Sequence, residues 1–153
     1  MLIYIISIIV LFLIDFVSKL LTISTIGLHT SINVIGEFFK LNYVQNTGAA
    51  FSIFENNVQY ISIITLLILT FFIYEFVKSK DRLIKIGLSI IIVGIIGNLY
   101  DRIVYGYVID MFEFNIFGYN APIFNIADIF VTVGIIFYTI ICFYNEVKNG
   151  NNK

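Results

Sequence analysis

Between Gly97 and Asp128 the chain reads GNLYDRIVYGYVIDMFEFNIFGYNAPIFNIAD, and the residues able to do chemistry crowd into that stretch. Asn98, Asp101 and Arg102 close one apolar run, Asn125 and Asp128 open the next, and Asp110 lies in the connection. A charge at the bilayer centre costs about 2.5–3.5 kcal/mol on the insertion scale, so ionisable residues at the borders of apolar runs are candidates for function. Asn98, Asp101 and Arg102 stand at i, i+3 and i+4, close to one helical face, and Asn125 and Asp128 are three apart at a helix start. Both faces must turn inward, because lipid would leave these groups unsatisfied. Asp110 and Asp128 are joined by a connection that begins and ends near the same interface, so their carboxyls can meet. Two carboxylates in contact do not both ionise cheaply; one keeps a proton and the pair titrates as a unit. Such a pair activates water: the ionised member takes a proton from water attacking a carbonyl, and the protonated member polarises that carbonyl. A structural alternative stays open, in which Asp110 caps a turn and Asp128 pairs with Arg102 to fix helix packing.

The rest of the chain must hold those residues. It has 153 residues, 59% hydrophobic and only 12% charged, against about 25% charged for a soluble domain. This is the composition of a membrane protein of one domain, residues 1–153. The net charge of -1 gives no sign of a nucleic-acid partner. One cysteine, Cys142, excludes an intrachain disulfide, and one histidine, His29, leaves a zinc site or a cysteine–histidine pair hard to build.

Four apolar runs of bilayer length predict helices over about 2–21, 58–77, 84–103 and 124–145. The first is expected to be a retained helix rather than a cleaved leader: no basic residue precedes it, no small-x-small site follows, and Asp15 and Lys19 interrupt its far end. Those two, four apart, can pair, either as an interfacial ion pair with a snorkelling lysine or as a brace for the site. Gly87, Gly94 and Gly97 give the third helix a small-residue face for close packing. Alternating patterns around Gly36-Glu37 predict a small β-hairpin over about 30–46, which ends in Asn46-Thr47-Gly48-Ala49-Ala50-Phe51, where small residues permit close backbone approach. Residues 104–123 are rich in aromatics (Tyr105, Tyr107, Phe112, Phe114, Phe117, Tyr119) and read as an irregular interfacial segment. The fold class is therefore an all-α membrane protein with four transmembrane helices, a small extracytoplasmic β-hairpin element and an interfacial segment. Lys78, Lys80, Arg82, Lys85, Lys148 and Lys153 fall on one side, and Lys19, Lys40 and Arg102 on the other. The positive-inside rule then places both termini in the cytoplasm and the polar cluster near the extracytoplasmic face.

Three other readings compete. Presenilin-like proteases also use two aspartates but need a Gly-x-Gly-Asp motif, and Tyr107-Val108-Ile109-Asp110 is not one. A transporter or proton channel would spread its polar residues across the membrane rather than cluster them near one face. A structural subunit would use the charges only to specify assembly.

Five motifs, in order, resemble a known family. They are Asp15-Phe16-Val17-Ser18-Lys19, Asn46-Thr47-Gly48-Ala49-Ala50-Phe51, Gly94-Ile95-Ile96-Gly97-Asn98-Leu99-Tyr100-Asp101-Arg102, Val108-Ile109-Asp110 and Phe124-Asn125-Ile126-Ala127-Asp128. Over nearly its whole length the chain resembles lipoprotein signal peptidase (signal peptidase II), the membrane aspartic peptidase family of bacteria. The resemblance implies that Asp110 and Asp128 are the catalytic dyad. It implies that Asn46, Gly48, Gly94, Asn98, Arg102, Asn125 and Ala127 bind substrate or brace the site, with Asp15 and Lys19 in support. It further implies a diacylglyceryl-modified prolipoprotein substrate cut just before the lipidated cysteine, no metal or other cofactor, inhibition by globomycin-like compounds, and action as a monomer among the lipids of the bacterial plasma membrane. Met111, where the family commonly has an aromatic residue, is the one departure near the site and is expected to alter local packing. A lipid-anchored substrate predicts a cleft between the helices, open sideways to lipid and roofed by the hairpin and residues 104–120.

Overall fold

In lipid a chain must satisfy its own backbone polar groups, and long apolar runs do so as helices. The computed structural model, which describes residues 1–48 and 57–150, contains helices α1 (Leu2–Thr25), α2 (Val58–Lys78), α3 (Arg82–Val104) and α4 (Ile126–Gly150). All four are long and apolar enough to cross a membrane. They match the sequence-based expectation to within a few residues at each end. Asp81 caps α3, accepting from the Leu83 and Ile84 amides.

The centre of the bundle is α3. Of its most apolar window 61% is buried, against 11% in each other helix, and α1, α2 and α4 all pack on it. The tightest contact is with α4. A β-carbon on Gly94 would collide with the Ala127 carbonyl oxygen and stand 2.9 Å from the Val131 nitrogen; one on Gly134 would stand 2.8 Å from the Ile91 nitrogen. Small residues let these backbones meet, which is how helices associate where lipid removes the hydrophobic drive. Along α1 the usual pattern is inverted: only Asp15, Lys19 and Thr22 are buried, and its Ile, Leu and Val side chains mostly face outward.

Above one end of the bundle sits an antiparallel sheet of strands β1 (Ser31–Ile35), β2 (Phe39–Asn46), β3 (Val108–Ile116) and β4 (Tyr119–Asn120), in that order. The expected hairpin is β1–β2. Residues 104–123 depart from the expectation, because they supply β3 and β4 rather than an irregular segment. Their rings find partners within the sheet: Phe39 stacks on Phe114 with centroids 4.8 Å apart, Phe114 stacks on Phe124 at 5.9 Å, and Phe112 meets Phe124 at 5.7 Å. Such pairs are worth about 0.5–1.5 kcal/mol beyond the area they bury, which favours a packed strand. A bulge between Leu41 and Val44 shifts the β2–β3 register and sets Val44 opposite Asp110, a local re-aiming common beside functional sites. Ile109 and Met111 lie on the other side of β3 from Asp110 and pack with Ile26 and Tyr43. The effect of Met111 therefore falls behind the carboxyl, where its sulfur accepts a hydrogen bond from the Thr22 hydroxyl.

Candidate functional site

The start of α4 builds half of the site. Asn125 precedes the helix and Asp128 is its third residue, the spacing of a reciprocal capping box. The Asn125 side-chain oxygen accepts from the Asp128 amide at 3.0 Å, and the Asp128 carboxylate accepts from the Asn125 amide at 3.1 Å. A third amide of that first turn, Ala127 N–H, is taken by Asp15 of α1 at 2.9 Å. Donors with no partner inside the helix thus fix two carboxylates in place.

The segment before α4 runs along β3. The Phe124 carbonyl accepts from the Met111 and Phe112 amides, and the Phe124 amide donates to Phe112. That seats Asn125, with no exposed surface, against Asp110. The Asn125 amide group donates to Asp110 Oδ1 at 2.7 Å and to Asn98 Oδ1 at 3.1 Å. Asn46, at the end of β2, donates to Asp110 Oδ2 at 2.8 Å. Asn98, on α3, donates to the second oxygen of Asp128 at 2.7 Å. Asp110 and Asp128, placed by different elements, are thus held by one shared residue, Asn125. Burial, and then the nearby Asp128 carboxylate, push Asp110 up to about 7 against the opposing pull of its two amide donors. Near neutral pH Asp110 is therefore poised to carry a proton.

Behind the pair lies an ionic brace. Lys19 is 2% exposed and does not snorkel; its ammonium sits 2.8 Å from both Asp15 and Asp101 and donates to Asn98 at 3.3 Å. Asp101 also accepts from the Ile109 amide, the start of β3, at 3.2 Å. One lysine thus ties α1, α3 and, through Asp101, the sheet. Asp101 is absent from the set that the resemblance implied, although its position three residues after Asn98 already put it on that face. Arg102 takes a different place from the open alternative. Among the described residues no ion pair joins it to Asp128; it donates to the carbonyls of Asn98 and Gly48, each at 3.3 Å. Gly48 in turn donates its amide to Asn46 at 2.9 Å. Gly94 and Ala127 serve as contact surface between α3 and α4 rather than as polar groups. Ala49, Ala50 and Phe51 of the same motif lie outside the described residues.

Asp110, Asp128, Asn46, Asn98 and Arg102 line one cavity of about 860 Å³. It continues down the bundle past Thr65, Ile68 and Phe72 of α2 and Val131, Thr132 and Ile135 of α4, with Ile95 of α3 as its floor. The flanking helices pack on α3 rather than on each other, so the cavity is a cleft between them. Among the described residues no cluster of three or more His, Cys, Asp or Glu is placed to hold a metal ion.

Two carboxyls held by one asparagine, at the head of a cleft between helices long and apolar enough to cross a membrane, mark a membrane protein of the paired-aspartate kind. Comparison with known proteins narrows the class. A family model for signal peptidase (SPase) II matches residues 7–144. A lipoprotein signal peptidase of Clostridium novyi is 41% identical over 131 residues, 84% of this chain and 88% of that protein. One from Clostridium tetani is 43% identical over 127 residues, 81% of each, and one from Staphylococcus aureus 36% over 141 residues, 91% of this chain and 86% of the relative. A solved structure described as a bacterial membrane enzyme determined by the in meso method at 2.3 Å superposes with a TM-score of 0.85 at 33% identity, covering 95% of this chain and 90% of that one. The chain belongs to the signal peptidase II family, and so to the multi-pass, aspartic-type membrane peptidases of bacteria.

Proposed function

We propose that this protein removes the signal peptide from diacylglyceryl-modified prolipoproteins, cutting just before the lipidated cysteine, with Asp110 and Asp128 as the catalytic pair. The observation that carries the proposal is the hold of Asn125 on both carboxyls at the head of a cleft open between α2 and α4. Water held between the carboxyls attacks the scissile carbonyl carbon; Asp128 takes its proton and Asp110 donates a hydrogen bond to the carbonyl oxygen as it gains charge. Collapse of the tetrahedral species breaks the C–N bond, and the proton on Asp128 passes to the departing amine. Asn46, Asn98 and Asn125 hold the pair in register. Arg102 and Gly48 position the peptide backbone, and Asp15, Lys19, Gly94 and Ala127 hold the frame.

The cleft also suits the substrate's physical state. Each buried methylene of a lipid anchor is worth about 0.8 kcal/mol, so a diacylglyceryl group stays in the bilayer and enters from the side. The excess of lysine and arginine in the 78–85 loop and the tail favours cytoplasmic termini, with the carboxyls toward the extracytoplasmic face. The protein acts as a monomer in lipid, because the cleft lies within one chain, and a globomycin-like inhibitor would compete for the cleft.

The test is a processing assay with purified protein in detergent. A synthetic prolipoprotein peptide carrying the diacylglyceryl cysteine should be cut at the bond before that cysteine, and the same peptide with an unmodified cysteine should not. Equal cleavage of both, or of neither, refutes the substrate assignment.

A further inference from the structure

Hydroxyls in membrane helices normally bond back to a carbonyl one turn earlier, since lipid offers no other partner. The helices here follow that habit: Ser7, Ser18, Thr22, Ser24, Thr25, Ser62, Thr70 and Ser89 each donate to a carbonyl three or four residues before. Among the described residues Thr65, Thr132 and Thr139 do not, and of these Thr65 and Thr132 line the cleft, one from α2 and one from α4. Thr132 lies four residues after Asp128 on α4, hence on the same face and about 6 Å deeper. The cleft around them is otherwise apolar, lined by Ile68, Phe72, Val131 and Ile135.

Building on the proposed function, we infer that Thr65 and Thr132 are specificity residues whose hydroxyls donate to the ester carbonyls of the diacylglyceryl group on the substrate cysteine. The lengths agree. With the scissile carbonyl at the carboxyl pair, the cysteine nitrogen is bonded to it and the α-carbon follows, from which the chain through sulfur and glycerol to an ester carbonyl spans roughly 7 Å at ordinary bond lengths when extended. An ester carbonyl accepts hydrogen bonds but cannot donate, so two hydroxyl donors in the lining of one largely apolar cleft match it. A fully apolar cleft would hold acyl chains but leave those carbonyls without partners. A membrane phospholipid carries the same glyceryl esters, so source and chemistry must be separated by experiment.

The experiment compares kcat/KM for two lipopeptides, one with S-diacylglyceryl cysteine and one with the dialkyl ether analogue, which lacks both carbonyls. Each is assayed in ester-free detergent and in vesicles of diester or diether phospholipid. Cleavage of the diester peptide by the unaltered protein reports on the proposed activity; the ester-to-ether preference reports on the two threonines. The unaltered protein should prefer the diester, and Thr65→Val/Thr132→Val should reduce that preference about 30-fold, the factor that two ordinary net hydrogen bonds supply. The loss should appear in KM, and Thr65→Ser/Thr132→Ser should restore it. The preference should follow the peptide's linkage and not the host lipid's. A preference unchanged in the valine variant overturns the inference. So does an equal loss on both peptides, or a preference set by the phospholipid.

Discussion

Replacing Lys19 with methionine keeps most of the side chain's volume and removes its charge. In the fold that ammonium is 2% exposed and lies 2.8 Å from both Asp15 and Asp101. Among the described residues each carboxylate has one other hydrogen-bond donor, the Ala127 and Ile109 amides respectively. Removing one partner of a buried ion pair typically costs about 3–5 kcal/mol, because the remaining charge is left without compensation. Here one substitution strands two carboxylates at once, which argues for the upper end, about 5 kcal/mol. At about 2–4 °C per kcal/mol for a chain of this size, the thermal midpoint in detergent should fall by about 10–20 °C. Adding Asp101→Asn to Lys19→Met removes one stranded charge while retaining an acceptor for the Ile109 amide, and should recover part of the loss. An unchanged midpoint for the single variant, or a double variant less stable than the single, would refute the view of Lys19 as the buried tie between α1, α3 and the sheet.

Three further outcomes follow from particular contacts. Asp110 is raised from an ordinary 3.8 to about 7, so its contribution to stability is full below pH 3.8 and is lost as pH rises through 7. If its proton is needed for cleavage, kcat/KM should decline above about pH 7, and Asn46→Ala, which removes a donor that pulls Asp110 down, should move that decline to higher pH; a decline that stays or moves lower contradicts the role of Asn46. Gly94→Ala drives a methyl into the α4 backbone and should destabilise by about 1–3 kcal/mol, as overpacking does, with the thermal midpoint as readout; no change would mean that the helices separate freely there. Phe117 and Gly118 form the two-residue β3–β4 connection with φ of +52° and +85°, the geometry that favours Asn-Gly. Phe117→Asn should relieve about 1–2 kcal/mol of left-handed strain and raise the midpoint in detergent, and a fall would show that the exposed ring has a contact of its own.

The helices were legible because bilayer length and apolar content are long, redundant signals: any part of Leu2–Thr25 announces the whole. Asp110 and Asp128 stood out in the sequence because ionisable residues at the borders of apolar runs each need a reason. The pairing of β3 with β2 was not, since Val108–Ile116 mixes buried Ile109, Asp110 and Met111 on both faces and so loses clean alternation. Its aromatic residues satisfied the pattern of a membrane interface equally well. The two faces of Lys19 also escaped: spacing announces Asp15 as its partner, but Asp101, on another helix, becomes its second only through the packing of α1 on α3. The free hydroxyls of Thr65 and Thr132 are invisible in sequence, where they look like Thr22 or Thr70.

The central claim is that Asp110 and Asp128 together perform the cleavage. Its most direct test is the rate of diacylglyceryl-prolipoprotein processing by Asp110→Asn and Asp128→Asn, each purified and shown by its thermal midpoint to be folded. The geometry predicts that each loses about 10²–10⁴-fold, the range expected when a positioned acid or base is removed, with the peptide still bound. A folded variant of either kind that processes at the rate of the unaltered protein would contradict the claim and return these carboxyls to a purely structural role.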